Sequence, residues 1–208
     1  WHALAGIWAA QAGKHATLEK PGTHNVFEGR QLIKAADRYG VLIQHHAERR
    51  SDPGFQSAIK FLHDGGLGEV YMAKGLCYKW RNSIGTYPDG PMKSDEKFAF
   101  TVSSDNYMPP YTREYLSKVD YDLWQGPAPV KPFNRSRFHY NWHWQWDYGN
   151  GDLGNEGAHE MDVARWGLGV KIPTKVSAVG GHMMFDDAQE TPNTLMAVFE
   201  FPNPDGEG

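Results

Sequence analysis

Within the first fifty residues, helix-like and strand-like apolar segments alternate, and this restricts the possible folds more than any other feature of the chain. Ala3 to Ala12 has a mostly helix-favouring composition, with Gly13 where a cap glycine would stand. His15-Ala16-Thr17-Leu18 reads as a short strand running into Glu19-Lys20-Pro21. Asn25 and Glu28 have capping-box spacing, and Val26, Ile33 and Ala36 recur at helical intervals up to Gly40. Val41 to Gln44 is a buried-strand run. Helix, strand, helix, strand in this order predicts parallel strands joined by right-handed crossovers.

Beyond residue 51 the pattern changes. Asp52-Pro53 is an N-cap with a first-turn proline, and Phe55, Ile59 and Leu62 share a face as far as Gly65-Gly66. This third helix is expected to bridge two domains. Val70 to Tyr78 reads as a strand with no alternation after it, and Arg81 to Pro132 as long loops forming a lid or an interface arm. Gly157 to Trp166 is expected to be helical, and Val176 to Met184 and Thr194 to Phe201 to be antiparallel strands. The expected fold class is therefore α/β plus α+β, divided into residues 1–51 and 52–208.

Composition narrows the partners. A formal charge of −4 leaves no basic surplus for a phosphate backbone, which excludes nucleic acid as an expected partner and favours small polar ligands. The single cysteine, Cys77, excludes an internal disulfide framework. There is no apolar run of about 18 residues, so no membrane span is expected. A chain opening on Trp1 and stopping at Gly208 is expected to be a piece of a longer protein, and any address signal would precede Trp1; localisation stays open.

Three stretches could carry chemistry. A carboxylate and an amine, Glu19 and Lys20, followed by turn-forming Pro21, sit at the carboxyl end of a predicted parallel strand, where open α/β sheets place their ligands. Lys20 there could pass a proton; a surface lysine beside a glutamate is the alternative. In Gly151 to Asp162, helical spacing puts Asn155, His159 and Asp162 on one face. Asp162 could fix the tautomer of His159, or the imidazole could be a buried one satisfied by a neighbouring acid. Phe138 to Asp147 interleaves aromatic with polar residues, and Tyr140, Trp142 and Trp144 could offer faces to a sugar ring, or the stretch could form an aromatic core or an oligomer interface. His139, His143 and Asp147 raise a metal site, but no metal is expected because the segment alternates more like a strand than a helix.

His2 opening a helix, Glu19-Lys20-Pro21, and the glycine-rich run Gly151 to Asp162 ending in His-x-x-Asp together resemble the Gfo/Idh/MocA oxidoreductases, the glucose-fructose oxidoreductase and inositol dehydrogenase family. Tyr121-Asp122-Leu123-Trp124 and Asn141-Trp142-His143-Trp144 are similar to a bacterial subgroup. The resemblance implies the second half of a Rossmann nucleotide-binding domain, then a substrate domain on a large, mostly antiparallel open sheet. It implies NAD or NADP as cofactor, a sugar or polyol as substrate, and a homo-oligomer, dimer or tetramer. Lys20 and His159 inherit the proton-handling roles, and His2, Glu19, Lys20, Glu48 and Arg50 lie beside the cofactor. Lys20, Asn155, His159 and Asp162 face the substrate, joined by Tyr140, Trp142 and Trp144 as the sugar platform.

The chain departs from the family pattern in having no glycine-rich phosphate loop, in carrying Asn155 where many members have aspartate, and in carrying Glu48 where Gln or Asn is usual. A glycosidase of the same fold, which oxidises, eliminates and re-reduces, uses the same residues and stays open. So do a non-catalytic sugar-binding subunit and a metal hydrolase using His139, His143 and Asp147.

Overall fold

The computed structural model describes residues 1–92, 97–98 and 111–202. The chain forms two compact units. One holds residues 2–77 and 153–180 and the chain from 195 onward; the other holds Trp1, 78–152 and 181–194.

The first unit opens with α1 (His2–Gln11), β1 (Ala16–Leu18), α2 (Val26–Tyr39) and β2 (Ile43–His45). β1 and β2 pair in parallel, Ala16 opposite Ile43 and Leu18 opposite His45, as the alternation predicted. Asn25 caps α2 by accepting from the Glu28 N–H at 2.9 Å, and Glu28 returns the favour one residue earlier than the expected box, accepting from the His24 N–H at 2.8 Å. Gly40 ends the helix at φ +63°, a conformation in which a Cβ would be strained.

The buried face of α2 differs from the expected one. Ala35 packs with Ala10 and Val41 against Ile7, Ala36 and Ile43, while Val26 and Ile33 are exposed. Small residues let α1 and α2 approach closely, and Val26 and Ile33 are left on the outside. Gly6 is part of this fit: a Cβ there would stand 2.8 Å from Leu32 and 2.9 Å from Leu18.

A 3-10 turn, Glu48–Ser51, leads into α3 (Pro53–His63), whose first turn is capped by Asp52 accepting from the Phe55 N–H at 3.0 Å. Ile59 is buried, and Ile59 and Leu62 face Gly167 of a later helix. The stretch 69–79 forms no strand. Tyr71 and Tyr78 are each 86% exposed, and no neighbouring strand accepts the segment among the described residues. β-Alternation without a ladder partner leaves backbone groups to water, and the segment stays a loop. Later come α7 (Gly157–Leu168), two residues longer than predicted, and the paired strands β5 (Lys175–Gly181) and β6 (Thr194–Glu200), which reach across the boundary of the two units in sequence. The Thr174 N–H donates to the Glu200 carbonyl at 2.7 Å, so the start of β5 meets the end of β6, the expected antiparallel sense.

In the second unit the long-loop segment contains β3 (Lys97–Phe98), β4 (Tyr111–Thr112), α4 (Arg113–Leu116) and α5 (Tyr121–Gln125). The rest of that expectation, residues 93–96 and 99–110, lies outside the described residues. Tyr121, Trp124, Phe133, Phe138 and Tyr148 form an aromatic core with neighbouring ring centroids 5.1–6.2 Å apart. Burial pushes the Tyr148 phenol up to about 12. Residues Tyr140–Trp144 are a 3-10 turn rather than the expected strand-like run, and the short α6 (Gly151–Asn155) follows. The sheets formed among the described residues are two-stranded.

Candidate active site

The carboxyl ends of β1 and β2, the Glu48–Ser51 turn and the first two turns of α7 surround a small cleft in the first unit. Lys20, His45, His46, Ala47, Arg49, Ala158, His159 and Asp162 line it. Lys20 and His159, 139 positions apart by residue number, thus share one wall-to-wall space.

Lys20 leaves β1 just after buried Leu18 and reaches α6, where its Nζ donates to the Asn155 backbone carbonyl at 2.9 Å and to Asn155 Oδ1 at 2.7 Å. An ammonium has three N–H bonds, and Asn155 takes two. Asn155 is itself buried, which fixes the amine at the cleft edge.

The expected pairing of His159 with Asp162 is not what forms. Asp162 is gripped by Arg50, whose Nε and Nη2 donate to its two oxygens at 2.8 Å each while the guanidinium lies 4.9 Å from the Trp166 ring. A planar fork matches both carboxylate oxygens at once, so the acid is committed to Arg50 of the Glu48–Ser51 turn. Glu160 is likewise held by Arg49 through the two terminal guanidinium nitrogens, Nη1 and Nη2. His159 Nδ1 instead lies 3.2 Å from Glu48 Oε1. Glu48 and Arg50, expected beside a cofactor, therefore contact α7 side chains.

Glu19, exposed, is 2.6 Å from His46 Nδ1, and His2 Nδ1 is 2.8 Å from the Pro21 carbonyl, so His2 braces the turn after β1. The hydrogen bond to Glu19 holds the His46 ring above its ordinary range, and the same bond holds Glu19 below its own. Burial pushes His45 down, favouring its neutral form. His45, His46 and Arg49 were not singled out from sequence. Their signal was available: His45 ends β2 and His46 and Arg49 follow it, as Glu19 and Lys20 follow β1, and both strand ends point to the same edge of a parallel pair.

Tyr140, Trp142 and Trp144 belong to the other unit. Trp144 is 3% exposed and packs on His143, with ring centroids 4.5 Å apart. A buried indole has no face to offer a sugar, so Trp144 is a core residue, the alternative reading of that stretch. Trp142 is half-buried and also packs on His143, and Tyr140 lies 5.9 Å below the Arg81 guanidinium. The strand-like alternation used against a metal there is absent, but His143 Nδ1 lies 2.7 Å from the Tyr140 carbonyl and Asp147 is ion-paired with Lys131. No cluster of three metal-ligating side chains occurs among the described residues.

Residues 94–198, about half of the chain, match a family model described as the oxidoreductase family, C-terminal alpha/beta domain, GFO_IDH_MocA_C2. The chain belongs to the Gfo/Idh/MocA oxidoreductase family. This family is NAD(P)-dependent. Over 93 residues the chain is 37% identical to the scyllo-inositol 2-dehydrogenase (NADP(+)) IolW of Bacillus subtilis, a match covering 41% of this chain and 25% of that protein.

Among solved structures it resembles the WlbA dehydrogenase from Bordetella pertussis in complex with NADH and UDP-GlcNAcA, with TM-score 0.59 and 19% identity over 96% of this chain and 42% of that one. It also resembles the aldose-aldose oxidoreductase from Caulobacter crescentus complexed with glycerol, with TM-score 0.58 and 19% identity over 99% of this chain and 44% of that one. These likenesses establish a shared α/β fold. The chain spans less than half the length of the Gfo/Idh/MocA structures it matches.

Proposed function

We propose that the complete protein is an NAD(P)-dependent dehydrogenase of a sugar or polyol hydroxyl, with Lys20 and His159 handling the hydroxyl proton. The observation that carries this reading is the single cleft lined by the Lys20 amine and the His159 ring at the carboxyl ends of two parallel strands. The names of its relatives add an inositol dehydrogenase and an aldose oxidoreductase to the argument for the substrate class.

The residues present fit a nicotinamide. Glu19, exposed beside His46 at the strand end, would accept from ribose hydroxyls, and Ala47 and Ala158 supply apolar lining. When bound, the nicotinamide supplies the hydride acceptor. Lys20, anchored by two bonds to Asn155, directs its remaining N–H toward a substrate oxygen. His159 takes up the hydroxyl proton as the carbon loses hydride. Arg49 and Arg50, through Glu160 and Asp162, hold the first turns of α7 so that the imidazole stays on the cleft wall.

In the same reading, residues 1–51 complete a nucleotide-binding domain and 52–208 belong to a substrate domain whose sheet is larger than the β5–β6 pair. Apolar residues on both faces of those strands suit a covered sheet. The protein would be a homo-oligomer.

The test is Lys20→Ala and His159→Ala in the complete protein, with a polyol panel including scyllo-inositol. Each should lower turnover by about a hundredfold or more while NAD(P)H binding, read by nucleotide fluorescence, persists. Intact turnover with nucleotide bound would overturn the assignment. Release of an aglycone without net nucleotide reduction would point to the glycosidase instead.

A further inference from the structure

We propose that His2 is a positioning residue for Lys20: its ring donates from Nδ1 to the Pro21 carbonyl and so pins the turn from which the lysine springs. The hydrogen bond and the tautomer it requires stand on the structure alone. The consequence for turnover rests on the dehydrogenase reading above, and it makes His2 a support of the lysine instead of a contact of the nucleotide.

The turn after β1 has little of its own to hold it. Residues 19–23 make no backbone–backbone hydrogen bond among the described residues, and Pro21 has no N–H to give. Side chains from elsewhere set its shape. His2 Nδ1 lies 2.8 Å from the Pro21 carbonyl oxygen, and a carbonyl only accepts, so the proton of this bond is carried by Nδ1. Nδ1 bears a proton in this neutral tautomer and in the imidazolium alike, so the bond survives a change in the charge of the ring. Glu19 and His45 are the titratable groups on which that charge bears.

His2 can serve as a fixed point because α1 is itself seated. Ala3, Gly6 and Ala10 are its buried residues, and a Cβ at Gly6 would stand 2.9 Å from Leu18 of β1. The first residue of a helix packed on β1 thus reaches the turn that leaves β1. Gly22, next after Pro21, meets the His45 ring so closely that a Cβ there would stand 2.8 Å from Cδ2. At the other end of the lysine, Asn155 holds the amine. A flexible four-carbon stem joins that amine to its backbone, so anchoring the nitrogen alone leaves the turn free to shift beneath it. His2 removes that freedom.

The first experiment needs no substrate. In the complete protein carrying isotope-labelled histidine, long-range nitrogen–proton NMR of the His2 ring, assigned by the signals lost in His2→Asn, should show the neutral ring as its Nδ1–H tautomer. A dominant Nε2–H tautomer would mean that the Pro21 carbonyl is not its acceptor, and it overturns the proposal whatever the enzyme does.

The second experiment uses the complete protein with NADP+ and whichever member of the polyol panel it oxidises fastest. His2→Ala should lower kcat about tenfold with the nucleotide KM unchanged, because a small misplacement of the amine costs alignment with the hydroxyl. His2→Asn, whose amide N–H can stand in for Nδ1–H, should recover most of that loss. In a Lys20→Ala background, His2→Ala should cost nothing further. A tenfold loss there too, or a raised nucleotide KM at full kcat, shows that His2 acts other than through the lysine and overturns the proposal. Should His2→Ala fail to fold, His2→Phe, which keeps a ring and removes both nitrogens, takes its place in the same comparison. If Lys20→Ala retains full turnover, the dehydrogenase roles fail, while an Nδ1–H tautomer at His2 still establishes the brace.

Discussion

Glu19 and His46 show how much a single contact at the strand ends can be read from charge alone. The pair is 2.6 Å apart and partly exposed, so its contribution depends on which groups are ionised more than on burial. His46 is raised above its ordinary 6.5, first by the hydrogen bond to Glu19 and then by its charge. Its contribution is complete below about 6.5 and disappears as pH rises through the raised folded value. Glu19 is lowered below 4.5 mainly by the same bond, so its contribution is present above that value and is lost as pH falls through the depressed folded one. The pair therefore acts most strongly between 4.5 and 6.5. An NMR titration should place the His46 midpoint above 6.5, and Glu19→Gln should return it toward that value. A midpoint that does not move would mean that the contact does not form in solution.

At the scale of elements, α7 is the piece that everything around the cleft adjusts to. Arginines hold it from the Glu48–Ser51 turn, α3 packs on its far end, and the loop at residue 75 passes against its first turn. Only a glycine permits that passage: a Cβ at Gly75 would lie 2.9 Å from Glu160 Cβ and 3.1 Å from the Glu160 backbone carbonyl. Gly75→Ala must therefore displace either the loop or the helix, because backbone atoms cannot swing aside as a side-chain tip can. Overpacking of this kind costs about 1–3 kcal/mol, which urea unfolding would register as a lower midpoint at unchanged slope. The same substitution should also weaken the Arg49–Glu160 pair, so turnover in the complete protein should fall with stability.

For the molecule as a whole, β5 and β6 leave Val176, Val179, Leu195, Met196 and Val198 open to solvent, and the loop 69–80 exposes Tyr71, Tyr78 and Trp80. Side chains at 176 and 179 lie on opposite faces of their strand, as do those at 195 and 196, so the ribbon is apolar on both sides. Contiguous apolar surface of this kind drives association. The 208-residue chain should bind a hydrophobic dye and self-associate in sedimentation velocity runs. Val176→Lys with Met196→Lys should reduce both, since lysine on a strand opposes edge pairing. A monomer with no dye fluorescence before substitution would show these faces to be covered in some other way.

Local periodicity determined the helix–strand alternation, the caps at Asn25, Asp52 and Gly40, and the parallel sense of β1 and β2, because each depends on neighbours within one or two turns. The three family motifs likewise pointed to Lys20 and His159 from sequence alone. Only the tertiary structure decided which acid meets which base. Helical spacing offered Asp162 to His159, yet a guanidinium from another element took it, and Glu48, 111 positions earlier, took its place at the ring. The same limit hid the burial of Trp144 and the failure of 70–78 to become a strand: an aromatic residue or an alternating segment acquires its state from the partner that packs or bonds to it, and that partner lies elsewhere in the chain.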